Sequence, residues 1–239
     1  MHHTKTLGHA IVLSMALAST AASAATAEAW IDWSSLEITL VDLDPSDGVA
    51  ASLTWTDQFS TTYLDAATFI SIDSSDWTSP LDSTIPGASV HLGASTLSAS
   101  INSAAISTPT DAAALRFGSF TLGANTQVTI SATVSAALTP GLAGSYAGAY
   151  FELFEEDADQ SDLYDTAGIE LGDGYLSVAS ATGLISVSIA NASNSAIDAG
   201  LAASADTSLM PSPVPEPESY ALFLAGLGLM GLVARRRRR

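Results

Sequence analysis

Short runs of alternating apolar and polar residues, punctuated by Gly, Asn, Asp and Pro, recur along the chain from residue 36 to residue 191. Alternation at period two turns one face of a strand to a core and the other to water. The pattern predicts strands at residues 36–40 (LEITL), 49–56, 68–72 (TFISI), 116–122 (RFGSFTL), 126–134 (TQVTISATV), 148–154 (GAYFELF), 174–178 (GYLSV) and 183–191 (GLISVSIAN). Asp44-Pro45-Ser46-Asp47-Gly48 reads as a proline-initiated, glycine-closed turn before the second strand. Gly123-Ala124-Asn125 reads as the loop of a hairpin joining 116–122 to 126–134. Ala and Ser are weak strand formers, so alternation must carry these assignments. Residues 192–209 (ASNSAIDAGLAASADTSL) leave two readings open, a loose final strand or a disordered approach to the C-terminus. The expected fold is an all-β antiparallel β-sandwich of eight to twelve strands with little helix.

Residues 25–210, about 186 in number, suffice for one domain with a real core. Their charge is lopsided. Of seven lysines and arginines only Arg116 falls in this body, against 23 of the 25 acids, a formal charge of −22. Such a surface repels phosphate and anionic head groups, so no nucleic-acid partner is expected. There is no cysteine, which excludes disulfides, thiol nucleophiles and thiolate metal sites. No catalytic residue is expected. His91, the body's one histidine, alternates with apolar neighbours in SVHLG and reads as a strand residue rather than a base. Composition leaves paired-carboxylate glycosidase chemistry open, and nothing in the spacing points to it.

Two acidic places could attract calcium. Residues 152–173 hold nine acids, and Asp157-x-Asp159-x-Ser161 begins like an EF-hand loop. Asp162 then stands where that loop needs glycine, and Gly168 where it needs glutamate, so it is not an EF-hand. Asp157, Asp159 and Asp162 are the candidate ligands, against the plainer reading of a solvated acidic loop between two strands. The Asp42, Asp44, Asp47 turn places its glycine one residue too late and reads as a plain turn. No other cofactor is expected. Trp30, Trp33, Trp55 and Trp77 are candidates for stacking on sugar rings; Trp55 is assigned to the core, and Trp30 and Trp33 stay open. Asn191-Ala192-Ser193 matches a glycosylation sequon.

Both termini carry routing chemistry. Residues 1–24 read as a cleaved secretory signal helix, with an apolar stretch at 10–18 and small residues Ala22 and Ala24 at the −3 and −1 positions; cleavage after Ala27 is the second choice. At the other end, prolines 211, 213, 215 and 217 make residues 211–218 an extended stalk. Residues 219–234 (SYALFLAGLGLMGLVA) carry no charge and as a single transmembrane helix would reach about 24 Å, short of a hydrocarbon core of about 30 Å. Arg235, Arg236, Arg237, Arg238 and Arg239 form a cationic stop that stays cytoplasmic.

The order Val214-Pro215-Glu216-Pro217, apolar run, arginine cluster resembles the PEP-CTERM sorting domain of bacteria that secrete exopolysaccharide. The resemblance covers about a tenth of the chain. It implies export, transient anchoring by the C-terminal helix, and processing by an exosortase, a membrane-embedded cysteine protease. The expectation is therefore a secreted acidic surface protein, not an enzyme, acting as a structural or interaction component of an exopolysaccharide or biofilm matrix. The alternative is a calcium-assisted carbohydrate-binding module.

Overall fold

The computed structural model describes residues 25–102, 104, 106–139, 144–155, 163–172, 179–210, 226, 227 and 230. Among them twelve strands form two six-stranded sheets, paired antiparallel throughout. In chain order they are β1 (Thr26–Asp42), β2 (Leu53–Asp65), β3 (Ile70–Ser74), β4 (Leu81–Ile85), β5 (Ala88–Leu92), β6 (Thr96–Asn102), β7 (Thr110–Leu122), β8 (Thr126–Thr139), β9 (Tyr146–Glu155), β10 (Leu163–Leu171), β11 (Ala179–Asn191) and β12 (Ile197–Leu209). One sheet runs β11-β8-β1-β6-β5-β4, the other β10-β9-β12-β7-β2-β3. The expected sandwich is present. The signal helix lies outside the described residues; of the tail only Gly226, Leu227 and Met230 are described, and no helix among the described residues is long and apolar enough to cross a membrane.

Alternation built the clearest strands. Along β8 the inward residues Val128, Ile130, Ala132, Val134, Ala136 and Leu138 are buried, with polar residues between most of them. β12 behaves differently. Seven consecutive residues, 199–205, are buried, because the opposite sheet covers one face of the central strand β12 and larger side chains of neighbouring strands, such as Phe154 over Gly200, lie across the other. That settles residues 192–209: all but the first five form a central strand. Small residues are what let it sit there. Ala114, Ala205 and Ala149 form one cross-strand row, and Ala99, Ala29 and Ala136 form a matching row in the other sheet. β1 and β12 touch across the interior. Weak strand propensity is overridden here by the need for thin side chains where the sheets meet.

The expected 116–122/126–134 hairpin does not form. β7 pairs with β2 and β12, whereas β8 pairs with β1 and β11 in the opposite sheet. Residues 123–125 are an arch between sheets. Asn125 adopts φ 49°, its N–H donates to Ser193 O at 3.0 Å and its carbonyl accepts from Leu43 N at 2.7 Å. The buried Asn191 amide fills the arch, donating to Gly123 O and Ser195 O at 2.8 Å each and to Leu122 O at 3.3 Å. The sequon asparagine is thus a structural plug with no free amide to modify.

Other boundaries shift. The second strand begins at Leu53 rather than residue 49, and β4, β5, β6 and β10 are additions to the expected set. Pro86-Gly87 closes the β4–β5 hairpin, with Gly87 at φ 85°, as a two-residue turn of that kind requires. The expected strand 174–178 lies outside the described residues. Both ends of the body leave from one pole. Thr26 pairs with Asn102 and Leu209 with Thr110, either side of the β6–β7 connection.

Candidate functional site

The tryptophans do not face solvent as a set. Trp77 is 9 % exposed and stands edge-on to Trp33 and Trp55, at centroid distances of 5.2 and 4.7 Å. Its indole N–H donates to Phe117 O at 2.8 Å. Trp33 and Trp55 pack against the core as well. The core assignment of Trp55 therefore holds, and Trp33 joins it. Trp30, on the outer face of its sheet, is half-buried between Ser98 and Ser135.

Inside the tryptophan cluster lies Arg116, 0 % exposed. Its Nη2 donates to Trp77 O at 2.7 Å and Gly93 O at 2.8 Å, and the guanidinium lies 4.6 Å from the Trp33 ring centroid. Burial brings its pKa down to about 10, so it stays charged at neutral pH. The body's one cation is thus spent inside the sandwich.

The acidic turn is a turn. Asp42 Oδ1 accepts from Asp44 N at 3.0 Å, Asp44 Oδ1 from Ser46 N at 3.2 Å, and Asp47 Oδ1 from Val49 N at 2.6 Å. These carboxylates cap backbone. The long acidic segment is less of a loop than expected: Glu152 lies on β9, and Asp165 and Glu170 on β10. Asp157, Asp159 and Asp162 lie outside the described residues. Among the described residues no group of three or more acid or histidine side chains is placed to hold a metal. His91 is exposed on β5, its Nδ1 2.6 Å from Asp82 Oδ1 on β4 and its Nε2 turned along the strand onto Gly93.

A different constellation stands out. On the outer face of β9 and β10, a cleft of about 350 Å³ is lined by Tyr146, Tyr150, Glu152, Thr166, Gly168, Ile169 and Glu170. Even spacing along YAGAYFE puts Tyr146, Gly148, Tyr150 and Glu152 on one face of β9. The period-two repeat of YAGAYFE is the signal in the sequence that marks this face. The missing side chains shape the cleft. The Tyr146 hydroxyl occupies the space a side chain at Gly148 would need, and a Cβ at Gly168 would fall 2.5 Å from Tyr150 Cβ.

Behind the tyrosines Asp206, half-buried on β12, accepts from Tyr150 Oη at 2.7 Å and from Ser204 Oγ. Burial pushes the Asp206 carboxyl above its usual range, more than those two hydroxyls pull it down. Burial, then Asp206 and Glu170, push the Tyr146 hydroxyl up to about 12; burial and Asp206 push Tyr150 up as well. Both tyrosines are neutral hydroxyls at any physiological pH. The raised Asp206 carboxyl is a stability cost that is present above its folded pKa and fades as pH falls toward its unfolded value of about 4. Asp206→Asn, which keeps an acceptor for one hydroxyl and offers its amide N–H to the oxygen of the other, is expected to raise Tm at pH 7, with the gain disappearing near pH 3.5. Thermal melts at the two pH values check this; a lower Tm at pH 7 would contradict the assigned cost.

The fold and site together define a two-sheet antiparallel sandwich with a tyrosine- and carboxylate-lined surface cleft. The sorting apparatus lies in the tail: the family model of the PEP-CTERM protein-sorting motif matches residues 213–239. The chain therefore carries a PEP-CTERM domain, which marks it as an exported protein sorted to the cell surface in association with the membrane and processed by an exosortase. No curated protein and no solved structure matches the chain. The motif residues Val214, Pro215, Glu216 and Pro217, the five arginines, Ala22 and Ala24 all lie outside the described residues.

Proposed function

We propose that the sandwich is an interaction component of the extracellular polymer matrix, delivered by its tail and doing no covalent chemistry. The observation that carries this reading is the sorting motif joined to a body whose outer sheet face presents aromatic and carboxylate side chains. Cleavage after Ala24 fits the reading best: cleavage after Ala27 would remove Thr26 and Ala27, which hold paired positions between β6 and β8. At the other end β12 stops at Leu209, so the Pro-rich stalk begins almost where the sheet ends. With both exits at one pole, a body anchored through its tail stands with the 123–125 arch facing away from the membrane. Strands of 13 residues make it about 40 Å tall.

The test is retention of the full-length protein, solubilised in detergent, on the producing cells' own purified exopolymer. Retention that survives washing is expected; passage identical to that of an unrelated acidic protein would sink the matrix reading. A calcium-assisted form of this reading rests on Asp157, Asp159 and Asp162. It predicts a higher Tm in about millimolar calcium, the usual range for extracellular calcium modules.

A further inference from the structure

We propose that the cleft between β9 and β10 is a glycan subsite selective for uncharged sugar rings, with Tyr146 and Tyr150 as its platform and Glu152 and Glu170 as its hydroxyl acceptors. This rests on the matrix reading and names where and what the body binds.

Size comes first. At about 350 Å³ the cleft falls at the small end of the range of about 300–1,000 Å³ typical of ligand sites. Its lining has the right division of labour. Tyrosine rings offer an apolar face to the C–H side of a sugar and a hydroxyl to its polar rim. Carboxylates accept two or more hydroxyl donors each, and those bonds are stronger for being charge-assisted. The platform is also held in place: Tyr150 is tied to Asp206 at 2.7 Å, and Tyr146 lies over Gly148, where no side chain can lift it. A fixed aromatic loses little entropy on binding.

Charge then selects the ligand. An acidic polymer needs cations, and the one cation of residues 25–210 is buried among tryptophans. Glu152 and Glu170 would face any uronate, sulfate or phosphate across the cleft. Uncharged rings meet no such penalty. Further aromatic pairs continue over the same outer face, Phe117 with Phe59 at 6.3 Å and Tyr63 with Phe69 at 6.1 Å, so a chain longer than one ring has places to run.

The experiment uses full-length protein in detergent and the cells' own exopolymer, split into neutral and acidic fractions by anion exchange. Binding to the neutral fraction is expected, with Tyr146→Ala and Tyr150→Ala each weakening it about tenfold or more, as loss of a buried aromatic anchor does. Tyr150→Phe, which keeps the ring and drops the bond to Asp206, should lose less than Tyr150→Ala. Comparable Tm values show that the variants are folded; should Tyr150→Ala unfold, Glu152→Gln and Glu170→Gln carry the comparison, each weakening neutral-polymer binding. Binding confined to the acidic fraction, or neutral binding that ignores all of these substitutions, overturns the subsite and leaves the matrix reading standing. Wild-type protein that binds neither fraction overturns both.

Discussion

Arg116→Ala is expected to cost about 3–5 kcal/mol of folding stability, and Arg116→Met much less. The alanine variant leaves a void the size of a long side chain between Trp33 and Trp77. It also strips the Trp77 carbonyl of its side-chain donor and leaves the Gly93 carbonyl only the long bond from Thr96 N at 3.4 Å. Those carbonyls belong to the β3–β4 crossing and to the turn of the β5–β6 hairpin, so the lost bonds loosen both connections at once. Methionine refills the volume and removes a buried charge whose Nε and Nη1 have no hydrogen-bond partner among the described residues. Replacing buried charge with apolar volume is often close to neutral in cost. Urea unfolding of the three proteins gives the comparison. Equal losses for Ala and Met would mean the guanidinium bonds, not the packing, hold the cluster.

The second large effect is at Gly118, in the middle of β7. Its missing side chain is what admits the tryptophans: a Cβ there would fall 2.7 Å from Trp55 and closer still to Trp77. Neither ring can yield cheaply, since Trp77 is hydrogen-bonded to Phe117 O and Trp55 is wedged edge-on against Phe120 at 5.2 Å. Gly118→Ala is therefore expected to destabilise by about 2–3 kcal/mol, toward the top of the range for overpacking, although alanine is ordinarily the better strand residue of the two. Combining it with Trp55→Leu should recover part of the loss, because the two positions share one space. Strict additivity in the double variant would refute the steric account.

Sequence reading reached the sandwich because β7, β8, β9 and β11 bury one face and wet the other, which period-two alternation records; the expected stretch 36–40 is a strand within β1 but leaves Ile38 and Leu40 exposed. It stopped at β12, whose buried run Ala199 to Ala205 erases alternation. It stopped again at residues 123–125. A three-residue loop joins strands of one sheet or of two equally well, and Asn191, 66 residues further on, decides between them from inside the arch. The connections explain why such errors are easy here. Only β2–β3, β4–β5, β5–β6 and β9–β10 pair as chain neighbours; the other successive strands lie in opposite sheets. The tryptophans are visible as a cluster in sequence, yet the burial of Trp33, Trp55 and Trp77 depends on Gly118 and Arg116, far from them along the chain. The tyrosine cleft was half visible, in the repeat of YAGAYFE, and its other wall comes from β10 inside a stretch read as acidic loop. The tail needed no structure, because a motif, an apolar run and a charge cluster act through their order along the chain.

The most direct test of the account is the intact mass of the protein recovered from the outer surface and medium of the producing cells. A species that begins at residue 25 and ends between residues 214 and 218 is expected, with both routing segments gone and every strand from β1 to β12 retained. A mass that still includes Arg239 would contradict it, leaving the chain an anchored membrane protein with its sandwich held short of the matrix.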